Sequence, residues 1–335
     1  MGPTNHYIIQ IHPTRRCNLR CLHCYSSSGP EERDQLPAAL LLQAIADARD
    51  EGYQVSSFSG GEPILYPELP ALLKHARANG MKTTVTSNGM LLDRRRLDAI
   101  AGFVNVLAIS LDGIPESHNR MRANDRAFDM MQSRLEGVRA SGIPFGFIFT
   151  LTQYNVNELD WAAEFAFCEG AKLFQIHPLE EVGRAANVLP GESPDAIESA
   201  YGFIESERIR KVYEGRMAVQ LDLVHSQVMR EHRERFVDDM DAGARPLAEL
   251  VSPLVIEPTG RVAPFGYGFP DAYALGSLYS ASIPELASAW RRAGWRRLQQ
   301  LCRTTFDDAA APRELPVLNW WDQLTHHAQR ATIGA

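Results

Sequence analysis

The sequence predicts an α/β fold, a partial (β/α)6 TIM-like barrel of parallel strands followed by a smaller C-terminal α+β region. Short apolar runs alternate with amphipathic runs of helical period from residue 7 to about residue 178. Several predicted helices are followed by a glycine, as at Gly80, Gly142 and Gly170, which is typical of a helix C-terminus. Because parallel strands need right-handed helical crossovers, six successive β/α units indicate a curled parallel sheet.

The individual elements follow from the period of each run. Short apolar or alternating runs predict strands at residues 7–11, 55–58, 83–86, 104–109, 145–151 and 173–176. Amphipathic runs predict helices at residues 38–51, 69–79, 94–101, 128–140 and 158–169. The order is therefore strand and helix in turn, as a barrel requires.

The alternation of predicted strands and helices stops beyond the sixth strand. Residues 184–250 are charged and predicted to be mostly helical, and residues 255–262 are typical of a β-hairpin. An amphipathic helix is predicted at residues 283–301. These changes divide the chain into three expected regions: a barrel core at 1–183, a helical connection at 184–250 and a smaller region at 251–335.

Composition and charge exclude several classes of partner and location. The chain has 335 residues, with 34 Lys and Arg against 41 Asp and Glu and a formal charge of −7, so we expect no nucleic-acid partner held by phosphate contacts. No stretch approaches the roughly 20 apolar residues of a membrane span, and the first residues lack the pattern of a signal peptide. Five cysteines, with three close together, are not typical of a secreted disulfide framework. We expect a cytoplasmic protein with no membrane partner.

Three cysteines follow the first predicted strand in the pattern Cys-x3-Cys-x2-Cys, namely Cys17, Cys21 and Cys24. This loop leaves the carboxyl edge of the sheet, where barrels and open α/β sheets bind their ligands. Structural zinc needs four ligands, of which His12 or His23 could supply one. An iron–sulfur cube held by three thiolates instead leaves one iron for a small molecule. The spacing favours the cluster and leaves the zinc site as the alternative.

The segment from Cys17 to Tyr25, CNLRCLHCY, resembles the signature of the radical S-adenosylmethionine (SAM) enzymes. In that family the residue before the last cysteine is commonly aromatic, and here it is His23. The resemblance implies that Cys17, Cys21 and Cys24 hold one [4Fe–4S] cluster whose open iron binds SAM. It also implies the partial barrel that the alternation of elements predicts.

The second predicted strand runs into Gly60-Gly61-Glu62-Pro63. Two glycines at a strand end let a ligand approach the backbone, and Pro63 favours an extended conformation at Glu62. Taken alone, the four residues fit an ordinary turn better. Their position after one β/α unit resembles the Gly-Gly-Glu-Pro motif of the radical SAM family, which implies that Gly60, Gly61 and Glu62 bind the amino group of SAM.

The next two strand ends also carry small polar or acidic residues. The third strand ends in TSNG and the fourth in SLDG, and both pairs that close these runs are turn formers as well. By resemblance, Asn88, Ser110 and Asp112 are candidate SAM contacts. Residues 118–122 resemble a segment of peptide-modifying members, which makes Arg122 a candidate partner of the SAM carboxylate, or else a solvated side chain.

Other chemistry-bearing residues give weaker signals. His177 and Glu180 follow the sixth strand and either line the substrate cavity or have a structural role. Cys168 lies on the apolar face of a predicted helix and is expected in the core. Cys302 lies near the end of a basic helix and has no evident partner.

Residues 255–278 resemble the start of the SPASM domain, the C-terminal region of radical SAM maturases. In those relatives the region supplies cysteines for auxiliary iron–sulfur clusters. Here Phe265 stands about where the first of these cysteines would be, and only Cys168 and Cys302 remain outside the loop. Two thiols cannot provide the usual four ligands. We therefore expect one cluster per chain and a SPASM-like remnant that lacks the auxiliary-cluster cysteines and serves as scaffold or lid.

The family resemblance implies an enzyme that reductively cleaves SAM to methionine and a 5′-deoxyadenosyl radical, which abstracts a hydrogen atom from a substrate. Similarity to maturases favours a ribosomally synthesised peptide, modified by crosslinking, epimerisation or a similar step. The alternative is a radical SAM enzyme of small-molecule or cofactor biosynthesis, and the third interpretation is a non-catalytic metal-binding module. Expected partners are a low-potential electron donor such as a flavodoxin or ferredoxin, a precursor peptide and, because the first strand begins near residue 7, a separate leader-binding protein.

Overall fold

The computed structural model describes residues 7–312 and 314–333. Within them, seven consecutive strands pair in parallel, each with the next along the chain. They are β1 (Ile8–Ile11), β2 (Val55–Phe58), β3 (Lys82–Ser87), β4 (Val106–Ser110), β5 (Phe145–Leu151), β6 (Leu173–Pro178) and β7 (Ala218–Leu221). The predicted α/β fold with a parallel sheet is confirmed.

The sequence analysis missed β7, because it described residues 184–250 as mostly helical. The strand has the sequence AVQL, and only Val219 among its four residues is buried. A pattern this short and this exposed does not stand out from the helical segments around it. In the structure β7 pairs with β6 along its whole length, so the parallel sheet extends one strand beyond the prediction.

Met121 and Ala185 belong to a smaller apolar cluster, and the main hydrophobic core is shared by one face of the sheet and most of the helices. Those that follow or precede the parallel strands are α1 (Ala38–Asp50), α2 (Leu69–Ala78), α3 (Arg94–Ile100), α4 (Pro115–Arg122), α5 (Ala127–Ala140), α6 (Leu159–Cys168), α7 (Ala185–Val188) and α8 (Ala196–Val212). Their buried residues recur at intervals of three and four, as Leu69, Leu72, Leu73 and Ala76 do in α2. No helix in the described parts of the chain is long and apolar enough to cross a membrane.

The prediction that Cys168 lies in the core is wrong, since its side chain is exposed. The buried residues of α6 are Leu159, Ala162, Ala163 and Ala166. Cys168 comes two residues after Ala166, which places it about 200° around the helix from that buried stripe. The apolar residues beside it in the sequence therefore gave a misleading signal.

After β7 the chain returns to the first edge of the sheet. The remaining elements are β8 (Val224–His225), α9 (Ser226–Glu231), α10 (Leu247–Leu250), β9 (Leu254–Ile256), β10 (Arg261–Pro264), β11 (Gly276–Ser277), α11 (Ile283–Ala309), β12 (Val317–Leu318) and α12 (Trp320–Ile333). β9 pairs in parallel with β1 and antiparallel with β10, which confirms the predicted hairpin. α11 continues past its predicted end to Ala309, so Cys302 lies inside this helix.

The sheet face that points away from the helices is partly exposed and polar. Along β6, Phe174 and Ile176 are buried, whereas Gln175 and His177 are half-buried. Thr150 of β5 is the register partner of His177 and is half-buried as well. The carboxyl ends of the strands on this face position the candidate site.

Residues around the start of α12 contact the loops after β6 and β10. Asn319 Nδ2 donates to Glu180 Oε1 at 3.3 Å, and the ring centroids of Trp321 and Phe265 are 5.2 Å apart. Phe265 has a φ of +66°, which is uncommon for a residue other than glycine. An aromatic contact therefore occupies the position where the sequence resemblance puts the first auxiliary-cluster cysteine of SPASM relatives.

Candidate functional site

The three cysteines after β1 belong to one small apolar cluster. Cys17 and Cys21 are buried and Cys24 is half-buried, and the cluster also contains Leu19, Met90 and Ala127. Among the residues that the structure describes, no three His, Cys, Asp or Glu side chains are arranged to hold a single metal ion. In a four-iron cube each thiolate binds a different iron, so its ligands stand farther apart than those of one ion. The three thiols, which lie in one apolar side-chain group, therefore fit a four-iron cube.

Gly60 and Gly61 let the backbone after β2 lie directly against the cysteine loop. Gly61 N donates to Thr14 O at 2.9 Å, and Glu62 N donates to Arg16 O at 2.9 Å. A Cβ on Gly61 would lie 2.2 Å from Arg16 O, and Gly60 has a φ of +110°. Both positions therefore require glycine because of the loop. Binding of the SAM amino group at these residues stays a prediction.

Glu62 connects the end of β2 to the end of β3. Its Oε2 accepts a hydrogen bond from Asn88 N at 2.9 Å, and its Oε1 accepts one from Ile64 N at 3.2 Å. Burial raises the pKa of Glu62, which is 1% exposed, and the bond from Asn88 opposes this shift. The Asn88 side chain donates to Asn18 Oδ1 at 2.8 Å and lies 4.0 Å from Cys17 Sγ. Glu62 and Asn88, both predicted site residues, are thus connected by hydrogen bonds up to the thiol of Cys17.

Asp112, which follows β4, forms a buried ion pair with Arg122 of α4. Arg122 Nε donates to Asp112 Oδ2 at 2.7 Å, and Arg122 Nη1 donates to Cys21 Sγ at 3.7 Å. Burial alone would raise the pKa of Asp112, but Arg122, with smaller contributions from His23 and His118, lowers it to about 2. Ser110 is buried at the end of β4, where its Oγ donates to Ser87 O at 3.4 Å. Arg122 is therefore a buried ion-pair partner, and the solvated alternative is wrong.

Two of the three thiols hold their protons more tightly than an ordinary cysteine does. Burial, together with the negative charge of Glu62, raises the pKa of Cys17 to about 12. Burial also raises the pKa of Cys21, while Arg122 acts in the opposite direction. Only a thiolate binds metal, so an iron centre would have to displace these protons when it binds. Cys17, Cys21 and Cys24 together would supply the three thiolates that a [4Fe–4S] cluster with one open iron needs.

Of the two histidines considered as a fourth metal ligand, His12 is buried and His23 is half-buried. Burial lowers the pKa of His12 to about 3 and that of His23 to about 4. The His12 ring stacks on Tyr267 at 5.3 Å and 12°, and its centroid lies 5.6 Å from that of Tyr25. Neither nitrogen of His12 has a hydrogen-bond partner within residues 7–312 and 314–333. His12 is therefore part of an aromatic group beside the cysteine loop.

Arg184, in the loop after β6, binds the cysteine loop through hydrogen bonds. The sequence analysis did not identify this residue. Its Nη1 donates to Cys21 O at 2.8 Å and its Nη2 to Ser28 O at 2.7 Å, while its backbone N donates to Cys24 O at 2.9 Å. A Cβ on the preceding Gly183 would lie 2.0 Å from a backbone oxygen of the loop. The Gly183-Arg184 pair was the sequence feature that could have indicated this contact. It can be interpreted only once the fold shows that the loop after β6 touches the cysteine loop.

A second polar group lies at the ends of β6 and β7. His177 Nδ1 hydrogen-bonds Asp222 Oδ2, and Gln175 Nε2 donates to the same oxygen at 3.2 Å. Glu180 follows β6 and accepts from Asn319, as described above. Although burial lowers it, the pKa of His177 is raised to about 9 by Asp222 and Glu180. Asp222 was missed because it follows β7, the strand that the sequence analysis did not find.

Residues 11–166 match the family described as the Radical SAM superfamily. The match begins at the end of β1 and continues into α6, so it includes the cysteine loop and the ends of β2, β3 and β4. The chain therefore matches the radical SAM family model over just under half of its residues. Members of this family use SAM and a [4Fe–4S] cluster, as the sequence analysis expected.

Two relatives show how far the similarity extends. The chain is 33% identical to Fe-coproporphyrin III synthase of Methanosarcina barkeri over 208 residues, which is 60% of this chain and 51% of that protein. It is also 33% identical to mycofactocin maturase MftC of Mycobacterium ulcerans over 189 residues, covering 55% of this chain and 50% of the relative. The chain thus spans about half the length of these relatives.

A solved structure of anSMEcpe, with bound AdoMet and the Kp18Cys peptide, has a similar fold over nearly the whole chain. The TM-score is 0.67, the sequences are 16% identical, and the match covers 98% of this chain and 97% of the other. At this level of identity the likeness establishes the fold.

Proposed function

We propose that this chain is a radical SAM enzyme that holds one [4Fe–4S] cluster through Cys17, Cys21 and Cys24. The observation that carries the proposal is the convergence of the three thiols in one buried cluster beside Asn88 and Arg122. When bound, the cluster and SAM supply a 5′-deoxyadenosyl radical that abstracts a hydrogen atom from the substrate. The chain's own residues would bind the cluster, orient SAM and exclude water.

The proposed SAM site is the carboxyl edge of β2, β3 and β4. Its residues are those that the sequence resemblance selects: Gly60, Gly61, Glu62, Asn88, Ser110, Asp112 and Arg122. Glu62 and Asp112 bring acidic oxygens to this edge, which suit the amino group of SAM. Arg122 brings a guanidinium, which suits a carboxylate. The buried ion pair keeps the charges of Asp112 and Arg122 fixed in position.

For the substrate we propose a ribosomally synthesised peptide. Three observations support this class: the SPASM-like segment at residues 255–278, the similarity to a mycofactocin maturase, and the fold shared with a structure solved with a bound peptide. The corresponding partners are a precursor peptide, a leader-binding protein and a low-potential electron donor such as a flavodoxin or ferredoxin.

A cofactor-biosynthesis enzyme is the second candidate. It is favoured by the 33% identity with Fe-coproporphyrin III synthase. The two candidates share the cluster and SAM and differ in what the partly exposed face of the sheet receives. A porphyrin substrate would bring several carboxylates to that face, whereas a peptide would bring mainly amides.

The test is metal analysis followed by SAM cleavage. The protein is purified and reconstituted without oxygen, and iron, sulfide and zinc are measured per chain. We expect about four irons with equal sulfide, and formation of 5′-deoxyadenosine after reduction. About eight irons would refute the single cluster, and stoichiometric zinc without iron would leave only a metal-binding module.

A further inference from the structure

The polar group at the ends of β6 and β7 lies on the same sheet face as the proposed SAM site. His177 pairs in register with Thr150 of β5, and Thr150 N donates to Asp112 Oδ1 at 3.4 Å. β5 is the only strand between β4 and β6 in the sheet order. His177 is therefore two strand spacings, about 10 Å, from the strand that Asp112 follows. A molecule beside the SAM site can reach this group.

Two side chains here each have one polar atom that no protein group within residues 7–312 and 314–333 uses. His177 Nδ1 is used by Asp222, and Glu180 Oε1 is used by Asn319. No hydrogen bond within the described parts of the chain uses His177 Nε2 or Glu180 Oε2. The His177 side chain is 45% exposed although its strand is central, so its free edge faces the open side of the sheet. The group therefore offers one donor and one acceptor.

The surrounding charges select the kind of molecule that fits. Although burial lowers it, the pKa of His177 is raised to about 9 by Asp222 and Glu180, so near neutral pH the ring carries an N–H at both nitrogens. The Nδ1–H donates to Asp222, and no group of the described chain accepts from the N–H at Nε2. Glu180, Asp222 and Asp322 are acidic residues near His177 or Glu180. Burial raises the pKa of Glu180, Asp322 and Asp222 raise it as well, and His177 lowers it. Three acids beside one imidazole would repel a ligand that carries several carboxylates. A secondary amide, with one carbonyl and one N–H, satisfies both free groups without bringing charge.

We propose that His177 and Glu180 bind a backbone amide of the substrate, with His177 Nε2 donating to the amide carbonyl and Glu180 Oε2 accepting from the amide N–H. This inference rests on the proposed function and specifies its substrate class as a peptide. Asp222, Gln175 and Asn319 are positioning residues, because they fix the orientation of the two groups that touch the substrate. The same charges disfavour binding of a polycarboxylate porphyrin.

The experiment measures binding to the reconstituted full chain loaded with SAM. The probes are a defined library of N-acetylated, C-amidated decapeptides, selected by affinity and identified by mass spectrometry, and coproporphyrin III. Wild type is compared with H177F and with E180Q, which replaces the free acceptor by an amide. The matched control is H232F, since His232 is also about half exposed but lies at the end of α9. All variants are compared at equal iron content.

We expect selected peptides to bind wild type and H232F equally, and each of the other variants to weaken binding at least tenfold. If H177F fails to load iron, E180Q decides alone. Unchanged peptide binding in both variants, no binding by any library member, or tighter binding of coproporphyrin III than of every peptide would overturn the inference. Failure of the proposed function is recognised separately, as absence of 5′-deoxyadenosine formation by wild type.

Discussion

Arg122 joins the carboxylate of Asp112 to the thiol of Cys21. Its Nε donates to Asp112 Oδ2 at 2.7 Å and its Nη1 to Cys21 Sγ at 3.7 Å. Asp112 is fully buried and Arg122 is 8% exposed, so solvent contributes little to either charge. The Arg122 guanidinium thus compensates the buried Asp112 carboxylate and lies close enough to Cys21 to stabilise its thiolate form.

The first prediction concerns the stability of this pair. We expect R122L to lower the free energy of unfolding by about 3–5 kcal/mol, because it leaves the buried Asp112 carboxylate without a partner. Urea unfolding of the protein without iron measures the change. R94L is the control, since the Arg94 side chain is 94% exposed, and we expect a change within about 0.5 kcal/mol. Equal effects of the two variants would contradict the ion-pair account.

The second prediction concerns pH. Although burial lowers it, Asp222 and Glu180 raise the pKa of His177 to about 9, whereas an ordinary histidine titrates near 6.5. The stabilisation from this pair is therefore fully present below about pH 6.5 and is lost as the pH rises through about 9. NMR of the histidine rings, with H177F to assign the signal, should show this value. D222N should lower the pKa of His177, and an unchanged value would show that Asp222 is not its cause.

The elements that the sequence predicted are those with a local signal. The first six strands alternate with amphipathic helices, and the cysteine loop and Gly60-Gly61-Glu62 were placed by the strands they follow. β7 lacked such a signal, as did the exposed face of α6 on which Cys168 lies. The contact of Arg184 with Cys21 joins residues 163 positions apart, and no sequence period reports such a distance. The order of strands and helices could be predicted from local sequence patterns. The contacts between loops at the strand ends could be recognised only in the folded structure.

The third prediction assigns the iron to one set of thiols. We expect C21A to lose the cluster iron, because a cube held by two thiolates has too few ligands. C168A and C302A should keep wild-type iron, since Cys168 is exposed on α6 and Cys302 lies inside α11. Iron per chain after anaerobic reconstitution measures all three variants. Loss of iron in C168A equal to that in C21A would refute the assignment.

The fourth prediction separates two roles of Glu62. E62A leaves the buried backbone N–H groups of Asn88 and Ile64 without acceptors, so we expect the free energy of unfolding to fall by about 1–3 kcal/mol. We also expect SAM affinity to fall at least tenfold at unchanged iron content. Urea unfolding and equilibrium dialysis with labelled SAM measure the two effects. E68A is the exposed control. Wild-type SAM affinity in E62A would remove Glu62 from the proposed SAM site.

The fifth prediction concerns Arg184, whose guanidinium donates to Cys21 O and Ser28 O on the two sides of the cysteine loop. R184Q removes at least one of these bonds and shortens the reach to both carbonyls. A loss of about 1.4 kcal/mol of local stability corresponds to tenfold faster opening of the loop. We therefore expect roughly tenfold faster hydrogen exchange in residues 21–28 of the iron-free protein, and faster iron loss to a chelator in the loaded protein.

Arg20 provides the matched control for this test, because it lies in the same loop but pairs with Glu31 at the surface, where its side chain is 58% exposed. R20Q should leave exchange in residues 21–28 close to that of wild type. R184K restores one charged donor but not the two-pronged geometry of a guanidinium, so it should give an intermediate rate. If R184Q and R20Q have the same effect, the two loops hold together through the backbone contacts of Gly183 and Arg184 alone, and the side chain of Arg184 has no part in positioning the thiols.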